Sequence, residues 1–128
     1  QYKNGGKFTD FVEASKPAWK LSRAEAIKEG TFQSPLVSWL YERGWRQGFQ
    51  TNGFPGIDEE FRQVTEFFEG SEGGTVLDLS CGSGLMTRRL VASARYARVI
   101  GGDLSSTMLA ETARRFKQDG LGEPELIR

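Results

Sequence analysis

The chain has 128 residues, with Lys+Arg and Asp+Glu both at 17, so it presents no net field that would draw it to nucleic acid or to an anionic membrane. With no histidine and a single cysteine, Cys81, the chain alone excludes Ser-His-Asp and Cys-His catalysis, imidazole bases and metal ligands, an intrachain disulfide and a multi-cysteine zinc site. No apolar run approaches the roughly 20 residues of a membrane span, and the length suits one domain burying about two thirds of its unfolded surface. In chain order, residues 1–20 carry Gly5-Gly6, Pro17 and scattered lysines with no persistent period, which reads as irregular backbone. Ser22-Arg23-Ala24-Glu25 has the form of a capping box opening a short helix that Gly30 ends, with Trp19 and Phe32 packing it down. Ser34-Pro35, a side-chain cap followed by proline, starts the next helix. Leu36, Val37, Leu40, Tyr41 and Gly44 lie on one stripe of it, which Trp45 and Phe49 extend. Turn-forming residues 52–56 follow. Ile57, Phe61, Val64 and Phe68 then mark an amphipathic helix with Asp58, Glu59 and Glu60 in its first turn, where the helix dipole favours acids.

Beyond Gly73-Gly74, the short apolar run 76–79 reads as a buried parallel strand. It leads into Ser80-Cys81-Gly82-Ser83-Gly84, and Met86, Leu90 and Ala94 then recur at helical spacing. A glycine-bearing loop at the carboxyl end of a strand is where open α/β sheets bind ligands, and glycines there let the backbone approach closely. A second strand over 98–102 ends in Asp103, 21 positions after Gly82, where a carboxylate can accept both hydroxyls of a ribose. An adenosine-containing cofactor fits. A dinucleotide fingerprint would put a third glycine where Thr87 stands, which weakens a nicotinamide reading. Ser105 or Ser106 caps a further helix whose Met108, Leu109, Thr112, Ala113 and Phe116 face inward. Gly120 and Gly122 end it, and residues 123–128 begin a third strand. Cys81 reads as a small apolar residue filling the turn, and Arg88-Arg89 and Arg114-Arg115 as solvated helix faces.

The run from Asp78 through Gly84 resembles motif I of class I S-adenosylmethionine-dependent methyltransferases, D-x-G-x-G-x-G, with Ser80 in place of the first glycine. The resemblance implies that Asp78 helps hold the cofactor's amino group. It implies too that the loop Ser80, Cys81, Gly82, Ser83 and Gly84 passes the methionine moiety, that Asp103 holds the ribose hydroxyls, and that Leu104, Ser105 and Met108 line the adenine pocket. The lead-in, residues 34–47 and 53–61, resembles a plastid group of plant and algal methyltransferases similar to the ubiquinone and menaquinone biosynthesis enzymes and associated with plastoglobules. That implies a chloroplast location and a small lipophilic or quinone-like substrate.

The expected fold is therefore α/β and Rossmann-like, of the class I methyltransferase type. The chain supplies its first strand, first helix, second strand, second helix and the start of the third strand, preceded by a helical extension. Residues 1–56 form that irregular and helical extension, and residues 57–128 the N-terminal half of the cofactor-binding domain. Because Gln1 is not methionine and only three of seven expected strands are reached, the chain is expected to be a fragment of a longer polypeptide. On periodicity the helix carrying Tyr41 and Arg46 reads as a core helix with an arginine-rich outer face; on its ligand-competent side chains and the family resemblance, it could instead fold over the cofactor as a lid. Methyl transfer needs alignment more than an acid or base, so no catalytic residue and no metal site are expected here. The expected partners are a small-molecule substrate and, peripherally, a lipid droplet or protein complex, with no nucleic acid and no transmembrane segment. The alternative reading is a non-catalytic methyltransferase-fold subunit of a larger assembly.

Overall fold

A computed structural model describes residues 3–4, 8–11, 48, 53 and 55–128. The expectations for the capping box at 22–25 and for the Tyr41 and Arg46 lid lie outside the described residues; of that second helix only Gly48 is described, and it is helical.

Helix α1 (Ile57–Phe67) starts at Gly56, which offers no side-chain cap, and the acids Asp58, Glu59 and Glu60 stand in its first turn instead. The Arg62 guanidinium, bonded to Glu59 and Glu66, holds the Glu59 carboxyl down to about 2, with Gln63 adding a second bond. All of this is on the exposed face, so it shapes charge more than it stabilises. Packing holds the helix in place. Phe61, Val64 and Phe68 lie with Met86 and Val99 against a buried cluster of Val76, Leu90 and Tyr96, while Phe67, one position off the stripe, is 83% exposed.

Strands β3 (Thr75–Leu79), β4 (Arg98–Gly102) and β5 (Glu125–Ile127) are parallel, with Val76 opposite Val99, Leu79 opposite Gly102 and Gly102 opposite Ile127. Helices α2 (Leu85–Ala92) and α3 (Ser106–Gln118) are the crossovers, so the strand, loop, helix, strand unit read from residues 76–103 is the observed one. The α/β, Rossmann-like expectation is thus met in its first three strands. Two short strands, β1 (Lys3–Asn4) and β2 (Thr9–Asp10), pair antiparallel with each other, and β2 pairs parallel with β5, giving the order β1-β2-β5-β4-β3. The irregular reading of residues 1–20 is corrected there. Two-residue strands are too short for any alternation to show, and what places them is backbone pairing: Arg128 N–H donates to Thr9 O (2.8 Å) and Phe11 N–H to Arg128 O (2.9 Å).

Three further expectations change. Val76 is buried in β3, but Leu77 and Leu79 are 48% and 70% exposed: they lie on the opposite face of the strand from Val76, and the helices among the described residues pack on the Val76 face. Ala94 does not continue the α2 stripe; α2 ends at Ala92, and Ala94 is an exposed turn residue with φ at 52°. Arg88 and Arg115 are not on solvated faces. The Arg88 side chain is only 12% exposed, its Nε donating to Gly84 O (3.2 Å) and its Nη1 paired with Asp119 (2.6 Å), which ties the start of α2 to the C-cap of α3.

Arg115 and Arg114 both bond Glu111, and together they hold its carboxyl down to about 2, Arg114 contributing most. A depressed carboxyl adds stability that is complete above its unfolded value, 4.5, and that is lost as pH falls toward 2. Glu111→Gln should therefore lower stability by about 1 kcal/mol at pH 7 and by progressively less between pH 4.5 and 2, as read by thermal melts across that range.

Candidate functional site

The site is assembled where β3 and β4 end side by side. Asp78 is the fourth residue of β3 and sits opposite Gly101; Leu79 sits opposite Gly102, so Asp103 emerges beside the start of the loop. Cys81 keeps the ladder going for one more bond, its N–H donating to Gly102 O (3.0 Å). The chain then turns. Gly82 and Gly84 have φ at 58° and 76°, a left-handed conformation that side chains disfavour, and Gly84 N–H donates to Cys81 O (2.9 Å) to close the turn before α2 begins. Ser80 also has a left-handed φ, 60°, without being a glycine.

Three side chains fix this loop. The Asp103 carboxylate bridges it, Oδ2 accepting from Gly82 N–H and Oδ1 from Ser105 N–H, both at 2.8 Å. The Thr112 hydroxyl, from the buried face of α3, reaches both Gly82 O (3.0 Å) and Met108 O (3.1 Å). The Thr87 hydroxyl, from α2, donates to Asp78 Oδ2 (2.5 Å). A Cβ at Gly84 would overlap the Thr112 side chain, so the glycine is required by space as well as by φ.

The residues expected to meet a cofactor fall into three groups. Asp78, Gly82 and Asp103 are brought together at the loop, with Ser80 exposed beside them and Ser83 and Gly84 buried within it. Cys81 is half-buried in the turn, and burial first, then the charges of Asp78 and Asp103, push its thiol up to about 12. Leu104 is 75% exposed at the end of β4, whereas Ser105 and Met108 are buried: Ser105 is the N-cap of α3, its Oγ accepting from Met108 N–H (3.2 Å), and Met108 is 5% exposed. Tyr41 and Arg46 lie outside the described residues. Sequence reasoning missed Thr87 and Thr112. The one signal available was that Thr87 occupies the place of the third glycine of a dinucleotide loop; nothing local marked Thr112.

Residues 76–128, which begin inside β3, match the family described as methyltransferase domain. Over those residues the chain is similar to methyltransferase domains. Two proteins of Arabidopsis thaliana are similar to it. "Uncharacterized methyltransferase At2g41040, chloroplastic" is 53% identical over 98 residues, which cover 77% of this chain and 28% of that protein. "Uncharacterized methyltransferase At1g78140, chloroplastic" is 45% identical over 80 residues, 62% of this chain and 22% of that protein. The matched part thus spans about a quarter of the length of these relatives. The resemblance to plastid class I methyltransferases read from residues 34–61 and 78–103 is borne out to that extent.

Of the two described non-glycine residues with a left-handed φ, Ser80 and Ala94, Ser80 is the one in the loop. A non-glycine residue in the left-handed region costs roughly 1–2 kcal/mol, partly offset by the lower unfolded-state entropy of serine than of glycine. Ser80→Gly should raise stability by about 0.5–1 kcal/mol, visible as a higher denaturant midpoint at unchanged m-value.

Proposed function

We propose that this chain forms the cofactor-binding part of an S-adenosylmethionine-dependent methyltransferase of the chloroplast, acting on a small lipophilic or quinone-like molecule. The observation that carries the cofactor is the pairing of two carboxylates, Asp78 and Asp103, at the ends of adjacent parallel strands on either side of a loop held open by Gly82 and Gly84. The residues fit the group. Each Asp103 oxygen accepts one backbone N–H and keeps a further lone pair, which suits two ribose hydroxyls. Asp78, an anion half-buried against Thr87, suits an ammonium. Gly82 and Gly84 keep side chains out of the path of the methionine moiety, and exposed Leu104 offers an apolar surface to a purine, with Ser105 and Met108 supporting it from the buried side.

When bound, S-adenosylmethionine supplies an electrophilic methyl group on a sulfonium. This chain's residues would hold and orient it, since displacement at the methyl depends chiefly on alignment. We assign no catalytic acid or base to it. Tyr41 and Arg46 enter the proposal as lid residues on their ligand-competent side chains and on the sequence resemblance. The names of the two relatives support the chloroplast, and the resemblance of residues 34–61 supports the lipophilic substrate and a peripheral association with lipid droplets. Among the described residues no helix is long and apolar enough to cross a membrane.

Calorimetric titration of S-adenosylmethionine into the full-length protein tests this. Saturable one-site binding that Asp78→Asn weakens is the expected result. A folded protein that takes up none of it would overturn the reading in favour of a methyltransferase-fold subunit without activity of its own.

A further inference from the structure

Thr87 has no role in the proposal above, yet it is among the most buried side chains described, 1% exposed, and its hydroxyl is spent on a site residue rather than on its own helix. A buried threonine in a helix commonly returns its hydroxyl to a carbonyl one turn back, as Thr112 does toward Met108. Thr87 instead reaches out of α2 to the β3 carboxylate, at 2.5 Å from Asp78 Oδ2.

Its surroundings are shaped to admit it. In a dinucleotide loop the third glycine lies on the helix, so that helix and strand pack closely. Here the helix carries threonine at that place, and the missing Cβ is on the strand. Gly101 in β4 is buried, and a Cβ built on it would come within 3.4 Å of the Thr87 methyl, 3.3 Å of Cys81 Sγ and 3.0 Å of Leu126. Close approach of α2 to the sheet is thus obtained at Gly101, which frees the helix position for a residue with a hydroxyl.

We propose that Thr87 is a positioning residue for the cofactor's amino group: by donating to Asp78 Oδ2 it fixes the rotamer of the carboxylate and the oxygen offered to an incoming ammonium. The proposal rests on the assignment of Asp78 to that amino group. A side chain locked before binding leaves less freedom to be lost on binding.

Two ligands and four variants of the full-length protein separate this from a purely structural role. S-adenosylmethionine carries the amino group; 5′-methylthioadenosine shares its adenosine and sulfur but lacks the amino acid part. Thr87→Val, which keeps the volume and removes the hydroxyl, should weaken S-adenosylmethionine binding about tenfold and leave 5′-methylthioadenosine within about twofold. Thr87→Ser should bind both as the unaltered protein does. In an Asp78→Asn background, where no anion remains to be oriented, adding Thr87→Val should change nothing further; this comparison holds even if the single valine variant folds poorly. Equal weakening of both ligands by Thr87→Val, or a further loss in the Asp78→Asn background, overturns the proposal and leaves Thr87 as packing. Loss of S-adenosylmethionine affinity in Asp78→Asn but not in Thr87→Val overturns the positioning role and keeps the role of Asp78. If Asp78→Asn itself leaves affinity unchanged, the assignment of Asp78 fails and the positioning role falls with it.

Discussion

Gly84→Ala is expected to lower stability by about 2–4 kcal/mol, the largest effect of any single methyl addition in the loop. Two costs add. The backbone at Gly84 has φ at 76°, where an alanine pays roughly 1–2 kcal/mol, and its Cβ would overlap the Thr112 methyl and come to 2.9 Å from the Thr112 hydroxyl. Thr112 has little room to yield, being fully buried with its hydroxyl engaged by Gly82 O and Met108 O. Chemical denaturation checks the total, and two further variants divide it. Gly120, with φ at 69° and nothing within 4 Å of where its Cβ would stand, should show the conformational cost alone, about 1 kcal/mol on substitution by alanine. Thr112→Ser, which removes the clashing methyl, should couple favourably to Gly84→Ala by about 1 kcal/mol or more in a double-mutant cycle. If Gly84→Ala costs no more than Gly120→Ala, the close packing of α3 under the loop is not what makes glycine necessary.

That packing also marks the boundary of what the sequence could reveal. The unit from β3 to α3 was legible because each part carries a local signal. Val76 begins a short apolar run, two glycines follow at its end, Leu90 and Phe116 recur at helical spacing, and Ser105 caps α3 as its sequence position suggested. Asp78 and Asp103 were legible because they stand at strand ends, a place fixed by the strands themselves. Contacts between residues far apart in the chain carried no such mark. Thr112 meets Gly82 across 30 positions, and Arg88 meets Asp119 across 31; a threonine on an inward face and an arginine beside another arginine look like core filler and solvated surface. The β1 and β2 strands were illegible for a different reason. Strands two residues long are held by main-chain pairing to a neighbour already in place, and side-chain alternation needs more length than that to show. Exposed Leu77 and Leu79 show the converse: an apolar run reports a tendency to be covered, and burial depends on what stands next to the strand.

Asp103→Ala is expected to lower both stability and cofactor affinity, because one carboxylate serves the loop and the proposed ribose site together. A strand-tip acid that merely faced a pocket could be removed without harm to the fold. Here its loss unpairs Gly82 N–H and Ser105 N–H, each bonded at 2.8 Å and partly buried, and a stability loss of about 2–4 kcal/mol follows. Asparagine should restore at most half. Its single oxygen can serve only one of the two N–H groups, and its amide then turns a donor toward the other. Weaker S-adenosylmethionine binding in Asp103→Ala is for this reason ambiguous, since a loosened loop weakens every ligand. The decisive measurement is a ratio, taken well below the melting temperature of each variant: the preference for adenosine over 2′-deoxyadenosine as competitors of S-adenosylmethionine. A carboxylate that accepts a ribose hydroxyl should give the unaltered protein a preference of roughly tenfold or more, and Asp103→Ala should bring the ratio close to one. A loop that has only loosened would weaken both nucleosides alike and leave the ratio where it was. In that case Asp103 is a clamp between Gly82 and Ser105, and the ribose must be held by another group.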